Sequence, residues 1–384
     1  MKPQLKPLLK PSCALLLSLF TVSSWAKQNQ NPELENIFKK AAASPSVPGI
    51  NVSVADRTGV LWAKGFGFAD IENNVKMTHE HKMRIGSVAK LFATAAMMRL
   101  YDQQKLNLDN PITNYVSSWP KSHSPLTLRQ LANHTSGIRH YRGEEYLINQ
   151  TFESVDESLN IFKQDTLLFK PGTSHSYSTY AWSLLSAGLE GADGKRDFEQ
   201  LMTDEVFHPL NMTDSSFDHQ YKLIPNRQRP YEYENGQLLN ARQTDHSYKW
   251  AGGGILATPS DVSRFAAAHS EEGFLSQNSL KEIFTPSKLN NGETINFGVG
   301  WILNFDRYKS ASTYRNNKKA QELMASFNDV AMHSGGSIGG ITMTILCREH
   351  ATAVTVVKNV SGERSADVFY LALQSLGHFH NKYQ

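Results

Sequence analysis

A serine and a lysine that could act together lie in the segment RIGSVAKLFATAAMMRLY, residues 84–101. Ser87 precedes Lys90 by three residues, and the apolar run after them predicts a buried helix that begins at the serine. Unpaired backbone N–H groups at a helix start favour an alkoxide or oxyanion. Lys90 lies one turn on, on the same face. Burial lowers the pKa of a lysine towards values at which it can accept a proton.

This spacing alone does not distinguish catalysis from structure. A nucleophile with its base would account for Ser87 and Lys90. An N-cap serine followed by a lysine that reaches solvent would account for them equally well. The same Ser-x-x-Lys spacing occurs at Ser24–Lys27 and at Ser118–Lys121. The latter contains Pro120 and no apolar run follows it, so a loop is predicted there.

Two further segments carry residues that could complete a hydrolytic site. Tyr177 comes just before a helix-like apolar run, where its phenolic oxygen could serve as a second acid or base. His333, Ser334 and a glycine pair begin a strand-like run, and glycines at a strand edge let a substrate approach the backbone. A free N–H at Gly336 could join that of Ser87 in an oxyanion hole. Each segment also has a purely structural interpretation, as a core tyrosine or a turn.

The elements that must position these residues are strands at both ends of the chain and helices between them. A β-hairpin is predicted by two alternating runs around a DRTG turn, GINVSVAD and VLWAKGFGFAD. Later strands are predicted by FGVGWILNF, ITMTILC and TAVTVVKN. Strands are scarce from about residue 105 to 285. The pattern predicts one unit built from both termini, 27–110 with 286–384, and a helical unit inserted at 111–285.

Helix ends and one long connection can be predicted as well. We expect helices that end at Gly137 and at Gly191, and a helix that begins with Ser260 as its N-cap. The segment 304–330 is long and polar, with no regular pattern. We expect it to be an irregular, mobile insertion near the site.

The first 26 residues have the pattern of a secretory signal peptide. Three lysines precede an apolar stretch, and Ser24 and Ala26 supply the small residues before a cut expected after Ala26. The apolar stretch is about half the length of a membrane-spanning helix, so a retained anchor is the less favoured alternative. The mature protein would be periplasmic or secreted, with no stable membrane span. Cleavage would also remove Ser24–Lys27 as a candidate pair.

Charge and cysteine content narrow the function classes. The chain has 39 basic and 36 acidic residues, and loss of the three N-terminal lysines makes the two counts equal. No nucleic-acid or anionic-lipid surface is therefore indicated. Cys347 alone remains after cleavage, so no internal disulfide is expected, and its apolar surroundings predict a buried, inert thiol. The pairs His79/His81 and His378/His380 lack a third ligand, so no metal site is assigned.

The order Ser-x-x-Lys, Tyr-Ser-Thr, His-x-Gly-Gly resembles the serine β-lactamase-related family, which includes class C β-lactamases, D-alanyl-D-alanine carboxypeptidases, esterases and D-aminopeptidases. The likeness covers most of the chain, through VPGINVSVAD, RIGSVAK, LANHTSGI, PGTSHSYST, AGGGILATPSDVSRF and HSGG. The motif forms are most similar to those of the mitochondrial serine β-lactamase-like branch and its bacterial relatives. This resemblance implies an α+β fold, with an antiparallel sheet flanked by helices and an inserted all-helical domain.

The resemblance also implies roles for individual residues. Ser87 would be acylated by the substrate carbonyl, and Lys90 and Tyr177 would share the proton transfers. The backbone N–H groups of Ser87 and Gly336 would hold the tetrahedral oxyanion. Four residues would line the substrate pocket: Thr179, His333, Ser334 and Gly335. Such a mechanism requires no metal and no organic cofactor.

Two departures from the family pattern bear on the substrate. Thr179 stands where many relatives have an asparagine that grips the substrate amide. His333 replaces a lysine, so the permanent cation that attracts a substrate carboxylate is absent from this position, and histidine is mostly neutral above pH 7. Peptidase action is therefore more strongly expected than efficient β-lactam hydrolysis.

Three hypotheses about function follow. The leading one is a secreted serine hydrolase that forms an acyl-enzyme on Ser87 and cleaves peptide or other amide bonds, with weak or no β-lactamase activity. The second is an esterase for small acyl esters. The third is a non-catalytic penicillin-binding or sensing module. The expected partner is a small-molecule or peptide substrate, and the oligomeric state is left open, with a homo-oligomer among the outcomes.

Overall fold

The computed structural model of the protein describes residues 31–123 and 125–380. The predicted signal peptide at 1–26 and the Ser24–Lys27 pair lie outside the described residues. The centre of the described chain is a six-stranded antiparallel sheet. In spatial order its strands are β3 (Val75–Lys76), β2 (Gly59–Asp70), β1 (Gly49–Asp56), β11 (Thr352–Lys358), β10 (Gly340–Cys347) and β9 (Val330–Ser337).

The two ends of the chain meet in this sheet. The alternating runs of β1 and β2 form the predicted hairpin, and β1 also pairs with β11 from the other end of the chain. Val52 accordingly lies between Lys64 on one side and Val356 on the other. Strands from the two ends of the chain therefore pair directly, and β9 is left as the edge strand that carries Gly335 and Gly336.

Helices cover both faces of the sheet. On one face, α1 (Pro32–Ala42) and α13 (Val368–His380) bury their apolar side chains against those of the strands. On the other face, α8 (Pro259–Ala267) packs on β1 and β11. Small polar residues allow the close approach of α8, and the hydroxyls of Ser53 and Ser263 lie 2.8 Å apart. The central strands β1, β10 and β11 are therefore buried on both sides, which explains the nearly continuous apolar runs of β10 and β11.

The middle of the chain surrounds the buried helix that follows Ser87. This helix, α2 (Ala89–Asp102), is buried along nearly its whole length. The other helices here are α3 (Leu128–Ala132), α4 (Val155–Ser158), α5 (Tyr180–Asp193), α6 (Phe198–Met202), α7 (Trp250–Gly253) and α9 (Gln277–Phe284). Apolar side chains from all of them form one hydrophobic cluster with α2. This packing fixes the helix that carries Lys90.

The middle of the chain is not all-helical, contrary to the prediction. It contains β5 (Ser215–Phe217), β6 (Tyr231–Glu234), β7 (Gln237–Asn240) and β8 (Ile255–Ala257). β5 and β8 form a small sheet with β4 (Met83–Arg84), and β6 pairs with β7 and with β12 (Val360–Ser361). Strands of three or four residues are too short to show a clear alternation in the sequence. Two of these strands, β6 and β8, pair with strands that lie outside residues 111–285. The boundaries of the 111–285 unit therefore stay a prediction.

The predicted end of α3 and the predicted N-cap of α8 are wrong. α3 ends before His134 and not at Gly137, because His134 adopts a left-handed backbone with a φ of 62°. The N-cap of α8 is Thr258, whose side chain accepts the backbone N–H of Asp261, and not Ser260. Threonine followed by proline at the first helical position is itself a strong start signal.

The end of α5 involves two glycines with different tasks. We expected α5 to end at Gly191, but it ends at Gly194, which has a φ of 71°. A Cβ at Gly191 would come 1.8 Å from the carbonyl oxygen of Tyr115. Gly191 is therefore required by close packing against a neighbouring loop, and Gly194 by the left-handed C-cap.

The segment 304–330 is helical and not irregular. It contains α10 (Asp306–Ser310), α11 (Ser312–Arg315) and α12 (Lys318–Ala325). The Tyr308 ring stacks on Phe369 of α13 with ring centroids 3.7 Å apart. None of the three helices exceeds eight residues, so an apolar period is hard to recognise within so polar a segment.

Three further observations on residues 31–123 and 125–380 concern alternative functions. Cys347 is a free, fully buried thiol, and burial raises its pKa, as expected for an inert cysteine. In these ranges no helix has the length and apolar character needed to cross a membrane. The same residues contain no group of three or more side chains placed to bind a metal ion.

Candidate active site

Ser87 lies in a tight turn between β4 and α2. Residues Gly86–Val88 form a short 3₁₀ helix, so the regular helix begins two residues after Ser87 and not at it. Gly86 has a φ of 53°, and a Cβ there would come 2.7 Å from the backbone of Gly336. Glycine permits both the backbone angle and the close approach. The turn thereby holds Ser87 against the edge of β9.

Lys90 is fully buried beside Ser87. Its Nζ lies 2.9 Å from Ser87 Oγ, 2.6 Å from the carbonyl oxygen of Gly252 and 3.4 Å from Thr179 Oγ1. None of these partners is an anion. Burial lowers the pKa of Lys90 well below its usual value, and the nearby charge of Lys249 lowers it further. A neutral amine in this position can accept the proton of the serine hydroxyl.

Tyr177 lies in the loop before α5, and the side chain of Ser87 is close enough to affect the pKa of its hydroxyl. The centroid of its ring is 5.1 Å from Lys90 Nζ. Burial raises the pKa of Tyr177, so its hydroxyl is protonated at neutral pH. The structure thus brings the three predicted catalytic side chains together, with Ser87 between a potential proton acceptor and a potential proton donor.

Two histidines hold the loop that carries Tyr177. Nδ1 of His134 accepts the backbone N–H of Ser178 at 3.1 Å, and Nδ1 of His140 accepts that of Thr179 at 3.1 Å. The His134 ring also packs on Tyr177, with centroids 4.3 Å apart. An accepting Nδ1 must be unprotonated. Burial provides this state, since it lowers the pKa of both histidines, to about 4 for His140.

These histidines are site residues to which the sequence analysis assigned no role. His134 lies in the family-like segment LANHTSGI, whose sequence indicates only the end of a helix at Gly137. Nothing in the spacing links that helix end to a loop so much later in the chain. The left-handed backbone of His134, uncommon for a residue other than glycine, appears only in three dimensions.

The edge of β9 presents backbone groups to the catalytic turn. Met332 exchanges both of its backbone hydrogen bonds with Ile302, on the side away from β10, at 2.8 and 3.0 Å. Backbone groups along a strand alternate direction with a period of two. The N–H of Gly336, four residues after Met332, therefore faces the same free edge, where Ser87 lies.

Gly335 lets this edge and the serine turn come together. A Cβ at Gly335 would lie 1.9 Å from the carbonyl oxygen of Ile85 and 3.2 Å from the backbone nitrogen of Ser87. Any side chain would therefore push the turn away from β9. Gly335 contributes to the site by permitting this close contact, and it does not line the cavity that opens on Ser87.

His333 is buried and neutral. Its Nδ1–H donates to the carbonyl oxygen of Ser334 at 2.6 Å, and its Nε2 has no hydrogen-bond partner within the described part of the chain. Burial, followed by the charge of Lys90, lowers the pKa of His333 to about 3. This side chain therefore supplies no positive charge at neutral pH.

A cavity of about 220 Å³ opens on Ser87. Of the predicted substrate-binding residues, Thr179 lines it, whereas His333, Ser334 and Gly335 do not. Its wall also includes Gly336, with Tyr141, Tyr146, Ile338 and Ile341. A second lysine in this wall, Lys249, is only 5% exposed and was not recognised in the sequence.

The helical segment 304–330 lies next to the site. The side chain of Tyr308 lies close enough to Ser334 for that residue to affect its pKa. Burial has the largest effect on the pKa of Tyr177 and of His333, and the positive charge of Arg307 has a smaller, lowering effect on both. α10 therefore borders the site along β9, while the mobility of the segment stays a prediction.

A profile of the family described as "Beta-lactamase" matches residues 34–376, which is most of the chain. The chain belongs to the beta-lactamase family. It is thus a serine hydrolase related to the β-lactamases, and its α+β fold is the β-lactamase and penicillin-binding-protein fold, with an antiparallel sheet flanked by helices.

Two curated relatives and one solved structure illustrate the breadth of this family. The chain is 26% identical to the human mitochondrial "Serine beta-lactamase-like protein LACTB", over 93% of this chain and 81% of the relative. It is 24% identical to "Penicillin-binding protein 4*" of Bacillus subtilis, over 87% of this chain and 72% of the relative. The D-amino acid amidase of Ochrobactrum anthropi superposes with a TM-score of 0.75 at 20% identity, over 92% of this chain and 100% of that chain.

Proposed function

We propose that this serine hydrolase forms an acyl-enzyme on Ser87 and hydrolyses peptide or other amide bonds, with weak or no β-lactamase activity. The supporting observation is the position of Ser87 Oγ, 2.9 Å from Lys90 Nζ and beside the buried side chain of Tyr177. A serine with a neutral amine on one side and a protonated phenol on the other has both groups that acyl transfer requires.

Acylation would begin with proton transfer from Ser87 Oγ to Lys90 Nζ. A neutral amine has two N–H groups and one lone pair, which matches two donated bonds, to Gly252 and Thr179, and one accepted from the serine. Ser87 Oγ then bonds to the substrate carbonyl carbon. The oxyanion would be stabilised by the backbone N–H groups of Ser87 and Gly336.

Collapse of this intermediate would break the C–N bond. Tyr177 would give its proton to the departing amine and regain one from the Lys90 ammonium, which restores both groups. A water molecule would then attack the acyl carbon with the same groups as base, releasing the acid and free Ser87. The raised pKa of Tyr177 favours this donor role over that of a phenolate base.

The preference for open amides over β-lactams is inferred from the edge of β9. His333 is neutral there, so this position lacks the permanent positive charge of the lysine that it replaces in the family pattern. The amidase and penicillin-binding relatives are consistent with amide substrates. Export through the N-terminal segment is also part of this proposal, because residues 1–26 have the composition of a signal peptide.

Hydrolysis of three substrate types by three proteins tests this proposal. The hydrolysis rates to measure are those of the wild type, Ser87→Ala and Ser118→Ala on an acetylated D-alanyl-D-alanine peptide, 4-nitrophenyl butyrate and a chromogenic cephalosporin. Ser118 is the matched control, since it has the same spacing to a lysine but is exposed and hydrogen-bonded to Asp156. We expect Ser87→Ala to lose all hydrolysis at an almost unchanged melting temperature, and Ser118→Ala to keep it.

Retained hydrolysis by Ser87→Ala would contradict the proposal. The small volume of the cavity also favours the second candidate function, an esterase for short acyl groups. Faster turnover of the butyrate ester than of the peptide, relative to their spontaneous rates, would select that function. Acylation without release of product would instead select a binding or sensing module.

A further inference from the structure

Lys249 is a buried cation in the wall of the cavity that opens on Ser87. Its Nζ lies 5.1 Å from the ring centroid of Tyr248 and 5.8 Å from that of Tyr141. Within residues 31–123 and 125–380, no group accepts a hydrogen bond from this ammonium and no carboxylate lies within 4 Å of it. Aromatic faces offset only part of the cost of burying a charge.

The carboxylate of Asp218, whose charge acts on Lys249, is paired with other groups. Asp218 Oδ2 accepts a hydrogen bond from Arg84 Nε at 2.7 Å, and the other oxygen lies 3.8 Å from Arg227. His246 Nδ1 lies 3.2 Å from Asp218 as well. Burial and the charge of Arg84 lower the pKa of Lys249 to about 7, and Asp218 offsets this only in part. The described part of the protein therefore supplies Lys249 with no counter-ion of its own, and an anion bound in the cavity would favour the protonated form of Lys249.

Lys249 lies close to the backbone that holds the amine of Lys90. Gly252, three residues later, accepts the hydrogen bond of Lys90, and a Cβ on it would come 3.6 Å from Lys249 Cβ and 2.5 Å from Thr179 Cγ2. Lys249 is therefore part of the same short segment that positions Lys90. An anion held by it would lie in the same small cavity as a carbonyl placed at Ser87.

We propose that Lys249 is a specificity residue that binds a free carboxylate of the substrate. The preferred substrates are then small amides or esters that carry a carboxylate close to the bond that is cleaved. This inference rests on the proposed function of Ser87 and deepens it by naming the substrate class.

A binding measurement isolates this inference from turnover. Adipic acid monoamide and adipamide have the same length, but only the monoamide carries a charge. Isothermal titration of both into Ser87→Ala, and into the double variant Ser87→Ala/Lys249→Met, measures the preference for the carboxylate. We expect Ser87→Ala to bind the monoamide about 10- to 100-fold more tightly than adipamide, as for a charge-assisted hydrogen bond. The double variant should lose this preference.

A turnover measurement then tests the same preference during catalysis. The probes are the mono-4-nitrophenyl ester of adipic acid and the 4-nitrophenyl ester of adipamic acid, which share a leaving group. The wild type should have a higher kcat/KM for the charged ester, Lys249→Met should lose that ratio, and Lys249→Arg should keep part of it.

The outcomes separate the two proposals. If Ser87→Ala has no preference for the monoamide, or if the double variant keeps one, the role of Lys249 is wrong whatever the turnover data show. If both esters are hydrolysed without Ser87, the proposed function is wrong. Ser87-dependent hydrolysis with an equal ratio in wild type and Lys249→Met would overturn the Lys249 inference alone.

Discussion

Two fully buried lysines of this protein have opposite surroundings. Lys358, at the end of β11, donates hydrogen bonds to the Glu363 carboxylate at 2.8 Å, to the Glu363 carbonyl at 2.8 Å and to the Ala366 carbonyl at 3.0 Å. Lys90, beside Ser87, has one carbonyl and two hydroxyls and no anion. All three N–H groups of the Lys358 ammonium therefore have an acceptor, one of them a carboxylate. The partners of Lys90 are uncharged and suit a neutral amine.

Burial alone therefore does not make a lysine catalytic. Without an anionic partner, a buried lysine loses its proton readily, while a partner such as Glu363 retains the charge and makes it structural. Lys249 is a third case, buried without an anion but open to the cavity. The predictions below test these differences in order of decreasing expected effect.

The largest effect should follow from Lys90→Met, which keeps the length of the side chain and removes the amine. We expect kcat to fall by about 10²- to 10⁴-fold, because general base catalysis contributes that much. The melting temperature should change by only a few degrees, since no ion pair is broken. Steady-state kinetics and thermal unfolding measure the two quantities. A folded Lys90→Met protein of normal activity would show that Lys90 is not the base.

Lys358→Met should have the reverse profile. Removing one member of a buried ion pair leaves Glu363 without its cation, which costs about 3–5 kcal/mol of unfolding free energy. Activity per folded molecule should be retained, because Lys358 has no contact with the catalytic groups. Denaturant unfolding measures the loss, and the double variant Lys358→Met/Glu363→Gln should recover part of it. Equal stability of wild type and Lys358→Met would contradict the structural role.

Tyr177→Phe should have a smaller effect on rate. It removes the hydroxyl that would protonate the leaving group and keeps the ring that packs on His134. We expect kcat for an amide to fall about 10²-fold, and that for a 4-nitrophenyl ester to fall less, because nitrophenolate leaves without a proton. Parallel kinetics on both substrates provide the check. An equal loss on both would argue against a role as proton donor.

The smallest effect concerns His140 and acid stability. Burial lowers the pKa of His140 to about 4 in the folded protein, below the usual 6.5, so the unfolded chain takes up a proton first as the pH falls. Its contribution is complete above pH 6.5 and is lost towards pH 4. His140→Asn can keep an acceptor for the Thr179 N–H but cannot titrate. Unfolding free energies at several pH values should decline less steeply for this variant than for the wild type between those limits.

The strands of the sheet and the proximity of Ser87 to Lys90 could be predicted for identifiable physical reasons, whereas the family and the meeting of the distant motifs were implied by a resemblance. The strands are long alternating or apolar runs, and Ser87 and Lys90 are separated by one helical turn. The missed features depend on contacts between distant segments. Gly191 resembles a helix end in sequence but is required by the backbone near Tyr115. Lys249 has no spacing that marks it, and it enters the site only because its segment folds beside Lys90.

The most direct test of the central claim is time-resolved intact-mass spectrometry of the purified protein with benzylpenicillin and with an alkyl fluorophosphonate, followed by peptide mapping. The account predicts a single adduct in the wild type and in Ser118→Ala, located on Ser87, and none in Ser87→Ala. The fluorophosphonate adduct should form much more slowly in Lys90→Met. An adduct on Ser87→Ala, or a wild type that reacts with neither reagent, would contradict Ser87 as the activated nucleophile.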